Sequence, residues 1–242
     1  MFPKVSIIIL NWNGLEDTVE CLGSLRKITY PNYEVILVDN GSQGNDVQVL
    51  RERFGDYIHI IENDKNYGFA EGCNIGMRYA LAKGTDYIFL LNNDTIVAGE
   101  FLTELLKVAE SDQHIGILGS KIYYYDKPNI IWDLGARINW WTGRIIGCGS
   151  GQEDIGQYDE LAQRDSVAGA AMLIKRCVLE KISLMDAFFF LGYEDHDFCI
   201  RARRAGFKII CVPSAKIWHK VYASRKKLPD YPETLHRVMR AK

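Results

Sequence analysis

The sequence predicts an α/β fold: a single domain built on a mostly parallel central sheet flanked by helices. Through the first 110 residues short apolar runs alternate with amphipathic stretches, and alternation of that kind implies parallel strands joined by right-handed crossovers. The 242 residues, 48% hydrophobic and 12% aromatic, suffice for a large core. No Pro/Gly/Ser-rich linker, internal repeat or low-complexity segment divides the chain.

Residues 5–10 read as the first strand, followed by a polar turn and an amphipathic helix over 16–26. Residues 35–38 form a second strand, after which "DNGS" leads into a helical run ending at Phe54. Residues 57–61 are a third strand, and a Gly-rich turn opens a helix over 70–82. Residues 87–91 are a fourth, with a helix over 100–110 behind it. From residue 111 the pattern is less regular. Residues 116–150 contain aromatic and Gly-rich pieces, "YYYD" and "INWWTGRIIGCG", that read as irregular strands, and the polar stretch 151–165 reads as a mobile loop. A strand over 167–175 and a short helix from Arg176 follow. A helix opened by acids and stopped at Gly206, then a strand in "KIICVPSAKIW", complete the domain near residue 220. Residues 221–242 form a basic tail.

Net charge is −2, which gives no global reason to bind nucleic acid. The charge is uneven, however. Residues 216–242 carry eight Lys or Arg against Asp230 and Glu233, a net of +6, so the preceding residues sum to −8. Such an end reads as a solvated tail or as a contact to an anionic membrane surface. Six scattered cysteines without a CxxC pair read as reduced packing residues of a cytosolic protein. No apolar run approaches the ~20 residues that span a bilayer, and the first residues lack a signal-peptide core.

Ligands of parallel α/β sheets bind beyond the carboxyl ends of the strands. Four such ends carry polar clusters: Asn11, Trp12, Asn13 and Gly14; Asp39, Asn40 and Gly41; Asn66 and Gly68; Asn92, Asn93 and Asp94. Each alone reads as an Asx turn. Four sets of amide and carboxylate groups converging on one crevice favour a polar ligand. In "GYEDHDFCIRARRAG", Glu194, Asp195 and Asp197 fall within four positions. Acids in a first helical turn suit the dipole, and one can cap. Three crowded together repel one another, which raises at least one pKa and suits a base or metal site. His219 stands alone; it reads as structural or surface, or as reaching the crevice if the last strand returns there. The chain has no P-loop, no dinucleotide fingerprint and no G-x-S-x-G elbow.

Taken together these segments resemble the family 2 glycosyltransferases, inverting enzymes with the Rossmann-like nucleotide-diphospho-sugar transferase fold called GT-A. The resemblance rests on "VSIIILNWNG", "VILVDNGS", "NYGFAEGCNIG", "LLNNDT", "GAAMLIKR", "FFLGYEDHDFCIRARRAGF" and "VPSAKIWHK", in the family's order over roughly residues 3 to 220. "GQYDE" and "WHK" are most similar to bacterial or archaeal rhamnosyltransferase-type members. The resemblance implies a GT-A domain over 1–220, with a nucleotide-sugar-binding half (1–110) and an acceptor and catalytic half (111–220).

It also implies roles. Asp39 would bond the nucleobase, with Asn11 and Asn13 near the nucleoside, and Asn66, Gly68 and Asn74 would line the donor pocket. Asp94 closes the D-x-D-like motif and would bind Mg²⁺ or Mn²⁺ bridging the phosphates, with His219 completing the metal site. Asn92 departs from the family's usual Asp; its amide oxygen can coordinate the cation or hold ribose. Asp195 would be the base, with Glu194 and Asp197 supporting it. The implied partners are a nucleotide-sugar donor and a glycan or lipid-linked acceptor, with no nucleic acid. The implied setting is polysaccharide synthesis in the cytoplasm, or peripherally at the inner face of the membrane through the basic tail. The chemistry is coherent on its own terms: a hard cation neutralises the departing diphosphate, and one carboxylate takes the acceptor proton. The competing expectations are a non-catalytic nucleotide-sugar-binding protein, which has no use for the base, and a nucleotidyltransferase, which would need a Gly-rich, basic loop where "NWNGLED" stands.

Overall fold

The computed structural model describes residues 2–221; the basic segment 222–242, and with it the expected tail contact, lies outside the described residues. β1 (Val5–Asn11), β2 (Tyr33–Asp39), β3 (Ile58–Glu62) and β4 (Tyr87–Asn92) alternate with α1 (Leu15–Leu25), α2 (Asp46–Phe54) and α3 (Gly68–Ala82). β5 (Thr95–Val97) and α4 (Phe101–Ala109) lead into β6 (Ile115–Tyr124). Four short strands follow: β7 (Ile131–Asp133), β8 (Ala136–Asn139), β9 (Arg144–Gly147) and β10 (Ala162–Gln163). β11 (Ala171–Lys175), α5 (Arg176–Ile182), α6 (Glu194–Arg204) and β12 (Lys208–His219) complete the domain.

The main sheet runs β10-β12-β6-β11-β4-β1-β2-β3. β1 pairs parallel with β2 and β4, and β2 with β3. β11, however, lies antiparallel between β4 and β6, so the sheet is mixed rather than mostly parallel. The reason is the connection. Parallel neighbours need a crossover, usually helical, and the chain between β6 and β11 contains only short strands and turns.

The strand runs are apolar because both faces are covered. Ile7, Ile9, Leu37 and Phe89 pack towards α1 and α4 against Leu22, Leu25, Phe101 and Leu105. Ile8, Ile36, Val38 and Leu90 face the other way, towards Met77 of α3 and Phe198 of α6. Successive strand residues point to opposite faces, and a helix layer waits on each.

Two segments differ from expectation. The strand predicted over 167–175 pairs only from Ala171 onward, leaving 167–170 as a turn beside the site. The stretch 151–165, read as mobile, is tied down: the buried Lys121 Nζ donates to Asp154 Oδ2 at 2.8 Å and Asp159 Oδ1 at 2.9 Å. Lys121 is fully buried, and a buried ammonium requires carboxylates.

Candidate active site

The carboxyl ends of β1, β2 and β4, the N-termini of α3 and α6 and the end of β12 surround a cavity of about 200 Å³, lined among others by Asn66, Gly68, Asn92, Asp94, Asp195 and His219. β12 brings His219 there by pairing antiparallel with β5, which sets His219 opposite Thr95. His219 Nε2 lies 3.0 Å from Asp94 Oδ1 and 3.4 Å from Asn92 Nδ2, and the imidazole packs edge-on to Trp132 with ring centroids 4.5 Å apart. Burial pushes the Asp94 carboxyl up, but the hydrogen bond and charge of His219, aided by Lys220, outweigh it and hold the group below its ordinary value.

Asn92 Oδ1 and His219 Nδ1 are buried without a hydrogen-bond partner, and Asp94 Oδ1 has only its His219 contact. Buried polar atoms are almost always satisfied, so an orphaned oxygen beside a carboxylate and an imidazole fits a hard cation. Among the described residues, no group of three or more His, Cys, Asp or Glu is placed to hold a metal. The fit is therefore a partial coordination set, Asp94 and His219 with the Asn92 amide oxygen, and the ligand must supply the rest.

On the opposite wall, α6 starts after two left-handed residues, Gly192 at φ 93° and Tyr193 at φ 73°. That bend aims Asp195 into the cavity. Gly169 N–H donates to Asp195 Oδ2 at 3.0 Å, and His196 N–H to Oδ1 at 2.8 Å. Glu194 is buried and lines the same cavity. Arg201 donates to Asp197 at 2.8 Å, as i,i+4 spacing on one helix face dictates, and Arg203 pairs with Asp165. Asp197 thus belongs to the helix surface and does not line the cavity.

The donor-side residues divide. Asn40, singled out only as part of a cluster, is central: its Nδ2 donates to Asn66 Oδ1 at 2.9 Å and Gly68 O at 3.1 Å. Gly68 has φ +84°, and a Cβ there would sit 2.5 Å from Phe190 O, so only glycine fits. Asp39 is 3% exposed, with Oδ1 accepting Asn11 Nδ2 at 2.8 Å and Oδ2 accepting Ser42 N–H at 2.9 Å.

Four of the expected donor-side residues lie outside the cavity lining, and Asp39 is one of them. Asn11 is fully buried and ties β1 to Asp39, Asp46 and Thr18, away from the cavity lining. Asn13, at φ 51°, spends its Oδ1 on Gln43 N–H at 2.7 Å and is likewise absent from that lining. Asn74 does not line the cavity either: its amide grips the Met185 backbone in both directions, at 2.9 and 3.0 Å. An amide is well suited to satisfying backbone and side-chain groups alike, and sequence does not separate that duty from ligand binding.

A second cavity, of about 680 Å³, adjoins Asp195 from the other side and is lined by Asp133, Arg144, Ser166, Tyr193 and His196. Burial pushes the Asp133 carboxyl up; the Asp195 charge adds to this against an opposing hydrogen bond from Gly135. Sequence reading missed Asp133, whose "IWDLG" context reads as an irregular strand.

The molecule is thus a mixed α/β sheet with oxygen donors at its strand ends and a carboxylate on the facing helix. The chain belongs to glycosyl transferase family 2, whose sequence pattern matches residues 6–164. It is 28% identical over 216 residues to the low-salt glycan biosynthesis hexosyltransferase Agl10 of Haloferax volcanii, covering 86% of this chain and 64% of that protein. It is 25% identical over 248 residues to the dTDP-rhamnosyl transferase RfbF of Shigella flexneri, covering 99% and 77%. In fold it resembles GalNAc-T7, solved with UDP, GalNAc and Mn²⁺, at a TM-score of 0.73 and 19% identity, covering 90% of this chain and 44% of that one. The fold is GT-A. The chain spans 64% of the archaeal relative and less than half of the solved neighbour.

Proposed function

We propose that this chain is a metal-assisted, inverting glycosyltransferase that moves a sugar from a nucleoside-diphosphate donor to an acceptor hydroxyl in glycan or cell-envelope polysaccharide synthesis. The observation that carries the reading is one cavity with a cation-suited set, Asp94, His219 and Asn92 Oδ1, on one wall and Asp195 on the other. The relatives' names, a hexosyltransferase and a rhamnosyltransferase, and a neighbour solved with UDP and Mn²⁺ support the substrate class.

A bound Mg²⁺ or Mn²⁺ would neutralise charge on the departing diphosphate. The protein's own residues do the rest. Asn66, Gly68 and the Asn40 behind them shape the donor side. Asp39, outside the cavity lining, would reach the nucleobase with the lone pairs its oxygens retain beyond the two bonds they already accept. Asp195, held by the Gly169 N–H, takes the proton from the acceptor hydroxyl, and Glu194 beside it supports the charge. One base and one displacement invert the anomeric centre.

A panel of nucleotide sugars assayed by thermal shift with and without Mn²⁺ identifies the donor, since specific binding raises the melting temperature. The matching donor, incubated with candidate glycan acceptors, should then release nucleoside diphosphate and form a glycoside of opposite anomeric configuration. Mn²⁺-dependent donor binding without any transfer would instead favour a binding protein. No stabilisation by any nucleotide sugar would overturn both readings.

A further inference from the structure

β8 and β9 form a two-stranded ribbon separate from the main sheet. The turn joining them presents Trp140 and Trp141, 56% and 98% exposed, with Ile146 at 50% close behind. An indole that is 98% exposed packs against nothing in its own chain. Trp140 is held outward under the Arg203 guanidinium, 5.3 Å from the ring centre. No Asp or Glu occurs from residue 134 to 152, whereas Arg137 and Arg144 flank the turn. The segment is therefore cationic and aromatic, and the acid that touches the ribbon, Asp165, is taken up by the Ile138 N–H and the Arg203 guanidinium. It is also a projecting turn. A rigid partner would need a matching socket for two adjacent indoles, whereas a bilayer interface deforms around them. Tryptophan partitions to the headgroup region because its ring is apolar and its N–H is polar, and Arg beside it gains from anionic lipid. The same ribbon lines the larger cavity that Asp195 borders, with Gly143, Arg144 and Ile145 beside the tip and Ala136 at its base.

We propose that the β8–β9 tip docks on anionic lipid bilayers, holding the mouth of the larger cavity at the membrane surface. The docking stands on the ribbon alone; its consequence, delivery of a membrane-borne acceptor to Asp195, rests on the transferase reading.

The full chain should sediment with vesicles of phosphatidylglycerol and phosphatidylcholine in equal parts, and its tryptophan emission should shift to the blue. Brominated phosphatidylcholine in those vesicles should quench it. The Trp140→Ala/Trp141→Ala variant should lose the quenching and bind about tenfold more weakly, a difference of about 1.4 kcal/mol, with an unchanged melting temperature. Arg137→Glu should weaken binding most at low salt. Two results would overturn the proposal: no vesicle binding by the wild type, or full binding by the double variant, which would assign the membrane contact to the basic segment 222–242. Nucleotide-sugar stabilisation, measured on the same proteins, reports separately on the transferase reading.

Discussion

Asp195 and Asp94 are two carboxylates of one cavity with different surroundings, and each supports its own experiment. Asp195 has one oxygen on the Gly169 N–H and the other on the His196 N–H, which fixes its direction and leaves lone pairs for a proton. Asp195→Asn should lower kcat by about 10² or more with donor affinity unchanged, because the loss falls on the transition state. Glu194→Gln measured beside it assigns the base, and a larger loss there would move the role one residue earlier. Asp94 pairs instead with His219, and its main-chain carbonyl accepts the Lys220 N–H at 2.9 Å. Asp94→Ala should abolish Mn²⁺-dependent binding of nucleoside diphosphate in calorimetry while the metal-free fold persists. Unchanged affinity would reduce "LLNNDT" to a turn.

Among the elements, the segment 151–165 places two carboxylates, Asp154 and Asp159, on one buried cation, Lys121. Burial alone raises the Asp154 carboxyl, but hydrogen bonds from Lys121 and Tyr123 outweigh it and bring it to about 2. A carboxyl whose folded pKa is depressed stabilises the fold above its unfolded value, near 3.9, and that stability disappears as pH falls towards 2. Asp154 should therefore contribute about 2 kcal/mol at neutral pH, lost between roughly pH 4 and 2. Urea midpoints across that window should fall in the wild type and stay flatter in Asp154→Asn. Lys121→Ala removes the shared partner and should cost about 3 kcal/mol, as broken buried pairs do, with faster proteolysis inside 151–165. Gly68 at the start of α3 makes a sharper demand. Gly68→Ala meets both a positive φ and the Phe190 carbonyl, so it should destabilise by more than about 1 kcal/mol and weaken donor binding together with stability.

At the scale of the molecule, the halves 1–110 and 111–220 are not separable bodies. β11 inserts between β4 and β6, and β12 returns to β5, so strands from both halves share one sheet and one pair of core layers. Thermal unfolding should accordingly be a single transition, with far-ultraviolet circular dichroism and tryptophan fluorescence giving coincident midpoints. Two resolved transitions would mean that the halves fold independently. Donor with Mn²⁺ should raise that one midpoint, since the ligands proposed for the cation come from Asp94 in one half and His219 in the other.

Local sequence determined the parts that depend on period and composition. The alternating apolar runs made β1 to β4 and their helices legible, because a strand buried on both faces has little choice but Val, Ile, Leu and Phe. The crowding of Glu194, Asp195 and Asp197 marked the start of α6, and the amides at the strand ends marked the crevice. Tertiary structure decided what sequence spacing does not encode. Asn11, Asn13, Asn66 and Asn74 look alike in the chain, yet only Asn66 lines the cavity, because the other three face buried or irregular backbone and side chains that only the fold assembles. The antiparallel insertion of β11 depended on a helix-free connection, and the meeting of Asp94 with His219 depended on β12 pairing with β5. Contacts of such long sequence separation are set by the closing of the whole sheet, and no local pattern records them.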